Sequence, residues 1–287
     1  MKSEKRAPMV SVVITTRNSA NTLGRLLKSI KQQSYKNMEI IIVDNNSSDK
    51  TVEISKKYTR KVYNFSPERS AQRNFGAKKA KGEYVLILDS DMVLTTIVIE
   101  ECFEKIKNPS GPGQSQKSKI KIGGVVIPEK SFGRGFWAKI KSFEREINQG
   151  EAYFESARFF PKNIFWKFTG YDESLTGPED WDLPQRIARI YKIERINYFI
   201  LHNEGSLTLA TLFKKKFYYG LSVHRYLKIQ NLPIFGPATV YFLRPAFYKN
   251  WKKILLHPLL SFGMFLMLIV EMVGGGLGYL FGRFGNG

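Results

Sequence analysis

Two aspartates, Asp89 and Asp91, directly follow five apolar or aromatic residues that begin at Tyr84. This run predicts a buried strand, so both carboxylates are expected at the rim of a sheet. Two like charges held close together disfavour each other's ionised form unless a partner compensates them. Mg²⁺ and Mn²⁺ prefer oxygen ligands of this kind. We therefore predict that Asp89 and Asp91 bind a divalent cation, the alternative being a solvated turn.

A second acidic cluster lies in the stretch G-P-E-D-W-D-L, residues 177–183. Its carboxylates could serve only to complement the dipole at the start of a helix, with Asp182 and Arg186 forming an i, i+4 pair. We assign that structural role to Asp182 and a chemical role to Asp180.

Further polar side chains follow the predicted strands. Thr15, Thr16 and Arg17 come after the first strand, and Asp44 comes after the second. Because α/β proteins bind ligands at the carboxyl ends of parallel strands, we expect these residues to converge with Asp89. By itself, Asp44 fits either a turn or cap aspartate or a hydrogen-bond acceptor for a nucleotide base or ribose.

Two other residues have open roles. Arg73 lies near the start of a predicted helix, where it could bind an anion or remain solvated. His202 follows the last predicted strand and is one of only three histidines. It is either structural or a third ligand of the cation.

The elements that would position these residues alternate between strand and helix along the first two-thirds of the chain. The predicted strands are 10–16, 39–43, 60–64 and 83–88, with helices over 21–33 and 70–80. This alternation predicts an α/β fold with a mostly parallel sheet flanked by helices. The later predicted elements are a strand over 120–127, helices over 132–149 and 179–191, a last strand over 193–201 and a basic amphipathic helix over 206–229.

Composition narrows the class of protein and the partners. The chain has 287 residues, a net charge of +20 and one cysteine, Cys102. The charge indicates a polyanionic partner, namely nucleic acid, an anionic membrane or a phosphate-rich substrate. The single cysteine excludes an internal disulfide and fits a reducing compartment, and no signal peptide is expected. Residues 205–270 contain nine Lys or Arg and no Asp or Glu, so an anionic membrane is the simplest partner for that region.

The last part of the chain is the most hydrophobic. Residues 254–282 exceed the ~20 residues that a spanning helix needs, although Glu271 would be costly inside a bilayer and is expected to face protein, interface or headgroup. Lys249, Lys252 and Lys253 precede the stretch and favour a cytoplasmic catalytic domain at the cell membrane. We predict a disordered N-terminus over 1–8, a catalytic domain over 9–205 and a membrane-associating helical extension over 206–287.

Three glycines in this stretch, Gly274, Gly278 and Gly282, are spaced four residues apart. On a helix they share one face, which is a surface suited to close helix packing in membranes. They predict a possible homo-oligomer, and the alternative is a flexible glycine tail.

Five short motifs occur in a fixed order along residues 10–205. They read T-T-R-N (15–18), V-D-N-N-S-S-D (43–49), A-Q-R-N-F-G-A-K-K-A-K-G-E-Y (71–84), L-D-S-D (88–91) and G-P-E-D-W-D-L (177–183). The ordered set resembles the family-2 glycosyltransferases, which have the GT-A fold. Gln72 departs from the small residue common in relatives. Residues 185–189 lack the Q-x-x-R-W spacing of processive members, which argues against a processive synthase.

The resemblance implies a UDP- or GDP-linked sugar donor and assigns roles to the candidate residues. Its metal-binding DxD motif falls on Asp89 and Asp91, its catalytic base falls on Asp180, and Glu179 and Trp181 fall beside that base in the sugar-binding region. Trp181 would form a wall for the sugar or acceptor, or simply pack in the core. Its nucleotide-contacting positions fall on Thr15, Thr16, Arg17, Asp44 and Arg73.

The chemistry that the resemblance implies is a single displacement with inversion. Mn²⁺ or Mg²⁺ would neutralise the departing nucleoside diphosphate, and Asp180 would take the proton of the acceptor. The expected acceptor is a glycan or a lipid-linked molecule such as a polyprenyl phosphate.

Two other functions remain open at this point. A nucleotidyltransferase also uses paired carboxylates with a metal, but it leaves residues 179–182 without a role. A nucleic-acid- or membrane-binding protein without catalysis would explain the charge. We favour a partner set without nucleic acid, because the basic residues lie beside an apolar stretch.

Overall fold

A computed structural model describes residues 7–108, 121–151 and 154–285. Residues 1–6 of the predicted N-terminal tail and most of a predicted loop over 107–119 lie outside the described residues. The strands are β1 (Val10–Thr16), β2 (Met38–Asp44), β3 (Val62–Asn64), β4 (Tyr84–Asp89), β5 (Met92–Leu94), β6 (Ile122–Val126), β7 (Glu129–Arg134), β8 (Ala157–Pro161), β9 (Lys192–Arg195) and β10 (Ile200–Ser206).

The helices complete the alternating order that the sequence predicts. They are α1 (Ala20–Lys31), α2 (Thr51–Lys56), α3 (Arg69–Lys79), α4 (Val98–Lys107), α5 (Phe136–Ile147), α6 (Lys162–Lys167), α7 (Glu179–Ala188), α8 (Leu209–Ile229), α9 (Pro245–Lys249), α10 (Trp251–Leu256) and α11 (Pro258–Phe284).

The described residues form two compact units that cut across the predicted boundary at residue 205. Unit 1 comprises Met1–Ile127, Ala157–Tyr171 and Pro184–Ile200, and unit 2 comprises Pro128–Ser156, Asp172–Leu183 and Leu201–Gly287. Segments from the predicted catalytic domain therefore belong to the same unit as the C-terminal helices.

Unit 1 contains a seven-stranded sheet with the order β3-β2-β1-β4-β8-β6-β9. The first four strands in that order are parallel, and β8 is antiparallel to both of its neighbours. Strands β1 and β2 are buried and rich in Val and Ile, as expected for a sheet covered on both faces. The predicted mixed α/β fold with a mostly parallel central sheet is confirmed.

The core of unit 1 lies between this sheet and its helices. Leu23, Leu26, Leu27 and Ile30 of α1 are fully buried because their three- and four-residue spacing places them on one helical face. They belong to the same apolar cluster as β1 and β4.

Unit 2 is built mainly from α5, α8 and α11, together with β7 and β10. Strand β10 lies beside β7, and α11 packs along both α8 and α5. Buried apolar residues from α5 and α11 share one cluster, in which Ile140, Phe143, Met264 and Met267 are almost fully buried. Helix α11 is long and apolar enough to cross a membrane by length and composition alone.

Glu271 of α11 faces protein, which is one of the three surroundings that the sequence leaves open. Its Oε1 atom lies 2.9 Å from Lys141 Nζ on α5, and its Oε2 atom lies 3.2 Å from Lys216 Nζ on α8. Lys141 also pairs with Glu144, so two ammonium groups and two carboxylates compensate each other. This balance lets the carboxylate remain buried, because an isolated buried charge would cost several kcal/mol.

The three spaced glycines of α11 contact α8 of the same chain. A Cβ atom on Gly278 would lie 2.0 Å from the Phe217 carbonyl oxygen, and one on Gly282 would lie 2.0 Å from the Leu221 carbonyl oxygen. The predicted close packing at these glycines is therefore intramolecular. This corrects the idea of a homo-oligomer through this face, because α8 already covers it.

Adding a methyl group at Gly278 and at Gly276 is expected to have opposite effects on the free energy of unfolding. Gly278→Ala should lower the free energy of unfolding by about 1–3 kcal/mol, since overpacking forces the backbones apart. Gly276 has open space around its Cβ position, so Gly276→Ala should raise stability by up to about 1 kcal/mol through helix propensity. Thermal denaturation of the two variants measures both effects. Equal destabilisation would contradict the packing of α11 on α8.

Two of the predicted elements differ from the structure. The helix predicted over 132–149 begins only at Phe136, because residues 129–134 form β7. The strand predicted over 193–201 is two strands, β9 and β10, which belong to different sheets. Apolar residues lie on both sides of each change of element, so hydrophobic pattern alone misses the break.

Candidate active site

The ends of three neighbouring strands place polar side chains side by side in unit 1. Thr16 at the end of β1 is in register with Asp44 of β2, and Thr15 is in register with Asp89 of β4. The predicted convergence at this edge of the sheet is present. Arg17, one residue past β1, is exposed.

Asp44 is buried and bonded through both carboxylate oxygens. Oδ1 accepts hydrogen bonds from Thr16 Oγ1 at 2.7 Å and from Ser47 Oγ at 2.6 Å, while Oδ2 accepts one from the Ser47 backbone N–H at 2.8 Å. These bonds shape the turn that follows β2. The turn role of Asp44 is therefore present in the structure, and its nucleotide contact stays a prediction.

Asp89 lies among arginines. Arg73 Nη2, fully buried, is 2.8 Å from Asp89 Oδ1, and Arg158 Nη1 is 3.6 Å from Oδ2. Burial opposes ionisation, but the charges of Arg73, Arg158 and Arg69 outweigh it and hold the pKa of the Asp89 carboxyl well below its usual range. Asp89 is therefore an anion at any pH at which a cell operates.

The lowered pKa of Asp89 makes its contribution to stability depend on pH in one direction. The carboxylate stabilises the folded chain fully above the ordinary aspartate pKa of about 4, and this contribution is lost as the pH falls towards the lower folded value. Asp89→Asn should cost about 3 kcal/mol at pH 7 and progressively less below pH of about 4. Denaturant unfolding of both proteins at several pH values measures the difference. A difference that grows with acidification would contradict the ion pair.

Helix α3 carries the residues that connect these strand ends. Gln72 Nε2 donates to the backbone oxygens of Val43 at 2.9 Å and Thr16 at 3.5 Å. The guanidinium carbon of Arg73 lies 5.2 Å from the ring centroid of Tyr171, in cation–π geometry. The departure from the family pattern at Gln72 thus has a structural role, because the longer side chain ties α3 to β1 and β2.

Asp91 lies in the turn between β4 and β5 and is partly exposed. In the described part of the chain, no three His, Cys, Asp or Glu side chains form a group that could hold a metal ion. Mg²⁺ in nucleotide sites is typically held by one or two carboxylates plus phosphate oxygens and water. The residues present fit a cation of this kind. Asp91 is the more available of the two carboxylates, since the Asp89 charge is already matched by arginines, and its role as a metal ligand stays a prediction.

The acidic cluster of unit 2 divides into buried and partly exposed carboxylates. Glu179 and Asp182 are buried, and Asp182 Oδ1 accepts a hydrogen bond of 2.5 Å from Gln230 Nε2. Asp180 and Trp181 are partly exposed at the start of α7. This separation agrees with a structural role for Asp182 and leaves Asp180 as the carboxylate that a substrate can reach.

Trp181 packs on one side and borders open space on the other. Its ring lies 6.3 Å from that of Tyr226, in a small apolar cluster with Leu175 and Leu227. It also lines a cavity of unit 2. Both roles predicted for Trp181, core packing and a wall for a ligand, are thus compatible with its position.

His202 belongs to a cluster of charged groups in unit 2. Its Nδ1 atom lies 2.8 Å from Glu129 Oε2, and Arg145 bridges Glu129 and Glu204. Burial opposes ionisation of Glu204, but the nearby His202 and Arg145 lower the pKa of its carboxyl to about 2. The structure thus gives His202 a carboxylate partner, and its role as a metal ligand stays a prediction.

Two arginines at the site were not identified from the sequence. Arg158 precedes two phenylalanines in β8 and is buried next to Asp89. In the sequence, Arg158 stands out only as a lone charge at the start of an apolar strand. It lies close to Asp89 because β8 pairs antiparallel with β4, and sequence order does not show that pairing. Arg69 precedes Arg73 by one helical turn, a spacing that could have suggested a second cation on the same face.

Known proteins share both sequence and fold with this chain. The family model described as Glycosyl transferase family 2 matches residues 11–153. An uncharacterised glycosyltransferase of Rickettsia typhi is 28% identical over 206 residues, which is 67% of this chain and 63% of that protein. The chain therefore spans somewhat less than two-thirds of this relative's length.

Solved structures share the fold at lower identity. A mannosyltransferase from Pyrobaculum calidifontis, in complex with GDP-Man and Mn²⁺, has a TM-score of 0.61 at 16% identity and covers 99% of this chain and 89% of its own. Residues 1–349 of Staphylococcus aureus TarS, in complex with UDP-GlcNAc, have a TM-score of 0.52 at 16% identity, with 96% and 92% covered. The match to the family model assigns residues 11–153 to the family-2 glycosyltransferases, and the solved structures show that the chain has a GT-A-like fold.

Proposed function

We propose that this protein transfers a sugar from a UDP- or GDP-linked donor to an acceptor hydroxyl or phosphate, with a divalent cation and with inversion. The convergence of Thr15, Thr16, Asp44 and Asp89 at the ends of three adjacent strands carries the proposal. Ligands bind at this edge in α/β sheets, and the nucleotide sugars in two neighbouring structures support a donor of this class.

The donor half of the proposed site uses the arginine-rich strand ends. Asp44 and Thr16 lie where a base or ribose could bond, and Arg73 fixes Asp89 in place through a 2.8 Å contact. Exposed Arg17 could reach the phosphates of the donor. A cation held by Asp91 would supply Lewis-acid stabilisation for the departing nucleoside diphosphate.

The acceptor half uses the start of α7. Asp180 would accept the proton of an attacking hydroxyl as the new bond to the anomeric carbon forms. A single displacement with Asp180 as the base inverts the configuration at that carbon. Glu179 and Asp182, both buried, support the helix that carries Asp180 and Trp181.

A panel of nucleotide sugars tests the proposed donor class. The purified protein is incubated with UDP- and GDP-linked sugars and Mn²⁺ or Mg²⁺, and released nucleoside diphosphate and thermal stabilisation are recorded. We expect one nucleotide series to stabilise the protein and release its diphosphate, because bound ligand raises the apparent stability. No response to either series would contradict the proposal.

We further propose that α11 binds an anionic membrane through one exposed face. Helix α11 has a stripe of exposed apolar residues at helical spacing, among which Leu259 and Phe262 are 69% and 71% exposed. The rest of the stripe is Leu266, Ile269, Val273, Leu277, Leu280 and Phe284. Basic residues precede it at Lys249 and Lys252, as in helices that lie in a membrane interface.

Lying in the interface fits this helix better than crossing the bilayer. Gly274, Gly278 and Gly282 hold α11 against α8, so α8 would have to cross as well. That helix contains Lys214 and Lys215, which are expensive at the centre of a bilayer. An interfacial position on the cytoplasmic side needs no such burial.

Charge substitutions on the stripe should release the protein from vesicles. The Leu259→Glu/Phe262→Glu variant is expected to lose at least about tenfold in affinity for vesicles that contain phosphatidylglycerol, because burying each carboxylate costs several kcal/mol. Flotation with such vesicles measures the bound fraction, and Ile190→Glu, an exposed apolar site in unit 1, is the matched control. Unchanged binding of the double variant would overturn the proposed orientation.

A further inference from the structure

Unit 2 contains a cavity of about 340 Å³, within the usual range for small-molecule sites. Its walls come from the start of α7, from α8 and α11, and from residues 234–241. The donor site proposed above is built from unit 1 residues and makes no use of it.

The lining of the cavity is apolar and aromatic. Trp181, Tyr219, Val223, Leu227, Met272 and Tyr279 all contribute to it. Such a surface gains free energy by excluding water from a hydrocarbon, at about 25 cal/mol per Å² of apolar area buried. It offers little to the hydroxyl groups of a free sugar.

Glycines keep the space open. Gly275 and Gly276 of α11 both line the cavity. A Cβ atom on Gly275 would have only the Lys216 carbonyl oxygen, at 3.9 Å, among its neighbours, and one on Gly276 would meet nothing within 4 Å. By contrast, Gly274 and Gly278 face the α8 backbone closely. The first pair therefore has room for side chains that would fill the cavity.

The charged groups at the wall are already matched to each other. Lys216 and Glu271 line the cavity and lie 3.2 Å apart, and the Lys216 ammonium also lies 5.2 Å from the ring centroid of Tyr241. A bound ion would have to displace one of these partners at a high desolvation cost. The charged part of the wall therefore does not favour a charged group inside the cavity.

The cavity reaches the segment that carries the proposed base. Pro178 and Trp181 line it, and Asp180 lies between them in the chain. An occupant that fills the apolar space would place its other end beside the start of α7. The segment 205–270 supplies part of the cavity wall and carries nine basic and no acidic residues, which suits an amphiphile with an anionic head.

We infer that this cavity binds the hydrocarbon chain of an amphiphilic acceptor, whose polar end receives the sugar beside Asp180. This inference rests on the proposed function and specifies its acceptor class. In the reaction the acceptor oxygen bonds to the anomeric carbon, the bond from that carbon to the diphosphate breaks, and the acceptor proton, where one is present, passes to Asp180.

Fluorescence quenching tests the occupant directly. Brominated dodecyl maltoside, below its micelle concentration, should quench the fluorescence of Trp181, which lines the cavity. The Trp181→Phe variant identifies this part of the emission, because it lacks it. Gly275→Leu should weaken this quenching at least about tenfold, because the leucine fills the cavity. Gly24→Leu, at an open helix position of unit 1, should leave it unchanged. Quenching that is absent in the wild type, or unaffected by Gly275→Leu, overturns the inference.

A labelled donor separates an acceptor from a resident lipid. The protein is incubated with a radiolabelled nucleotide sugar and a total lipid extract of the producing cells, and the label that enters butanol is counted. Wild type should move label into butanol, and Gly275→Leu should lose at least about nine-tenths of that transfer while binding the donor normally. Quenching without transferred label would identify a resident lipid and overturn the acceptor assignment. If the wild type does not bind the nucleotide sugar at all, the proposed function itself is refuted.

Discussion

The Asp180→Asn variant should transfer sugar about 10²- to 10⁴-fold more slowly than the wild type, with donor affinity nearly unchanged. This is the range that a general base contributes to a reaction. Asparagine keeps the size of the side chain but cannot accept the proton of an acceptor hydroxyl. Initial rates at saturating donor, together with calorimetric donor affinity, measure the two quantities separately.

Two other carboxylates of unit 2 supply the controls for Asp180. Asp182 is fully buried and bonds Gln230, so Asp182→Asn should lower the free energy of unfolding more than Asp180→Asn does. Glu173→Gln removes an exposed carboxylate of the same unit and should leave the rate unchanged. Normal turnover by Asp180→Asn would show that another group, or the acceptor itself, handles the proton.

The Asp91→Asn variant should lose most of the metal-dependent part of donor affinity. We propose Asp91 as the main ligand of the cation, because the charge of Asp89 is compensated by Arg73 and Arg158. A neutral amide binds Mg²⁺ or Mn²⁺ far less well than a carboxylate does. Titration of the donor with Mn²⁺ and with a chelator gives the metal-dependent part directly, and we expect a loss of at least about tenfold.

The same titration contains its own control. In the presence of chelator, wild type and Asp91→Asn should bind the donor with equal, weak affinity, because Asp44 and Arg73 are untouched. If the two proteins instead bind equally well with Mn²⁺, Asp91 does not hold the cation. Weaker binding by Asp91→Asn in the chelator arm as well would indicate a disturbed fold rather than a lost ligand.

Much of unit 1 follows from local patterns in the sequence. Runs such as V-S-V-V-I-T-T are both β-branched and wholly buried, and the helix over α1 has its leucines on one face. Since each strand ends at a polar residue, the convergence of Thr15, Asp44 and Asp89 could be predicted from order alone. Parallel pairing then brings those ends together without further information.

What the sequence did not reveal depends on contacts between distant segments. The sequence predicts that Asp89 needs a positive partner and favours a metal ion, whereas Arg73 and Arg158 provide much of that charge in the structure. The pairing of β8 with β4 brings Arg158 there, and no local pattern encodes it. The four-residue spacing of Gly274, Gly278 and Gly282 likewise could not show that α8 of the same chain covers Gly278, because this contact also joins distant segments.

The configuration of the first product is the most direct test of the proposed mechanism. The protein, its donor and Mn²⁺ are followed by proton NMR from the first minutes, so that the anomer released to water or acceptor is seen before it equilibrates. A single displacement with Asp180 as base predicts the anomer opposite to that of the donor. Release of the same anomer as the donor would contradict the proposed arrangement of base, cation and leaving group.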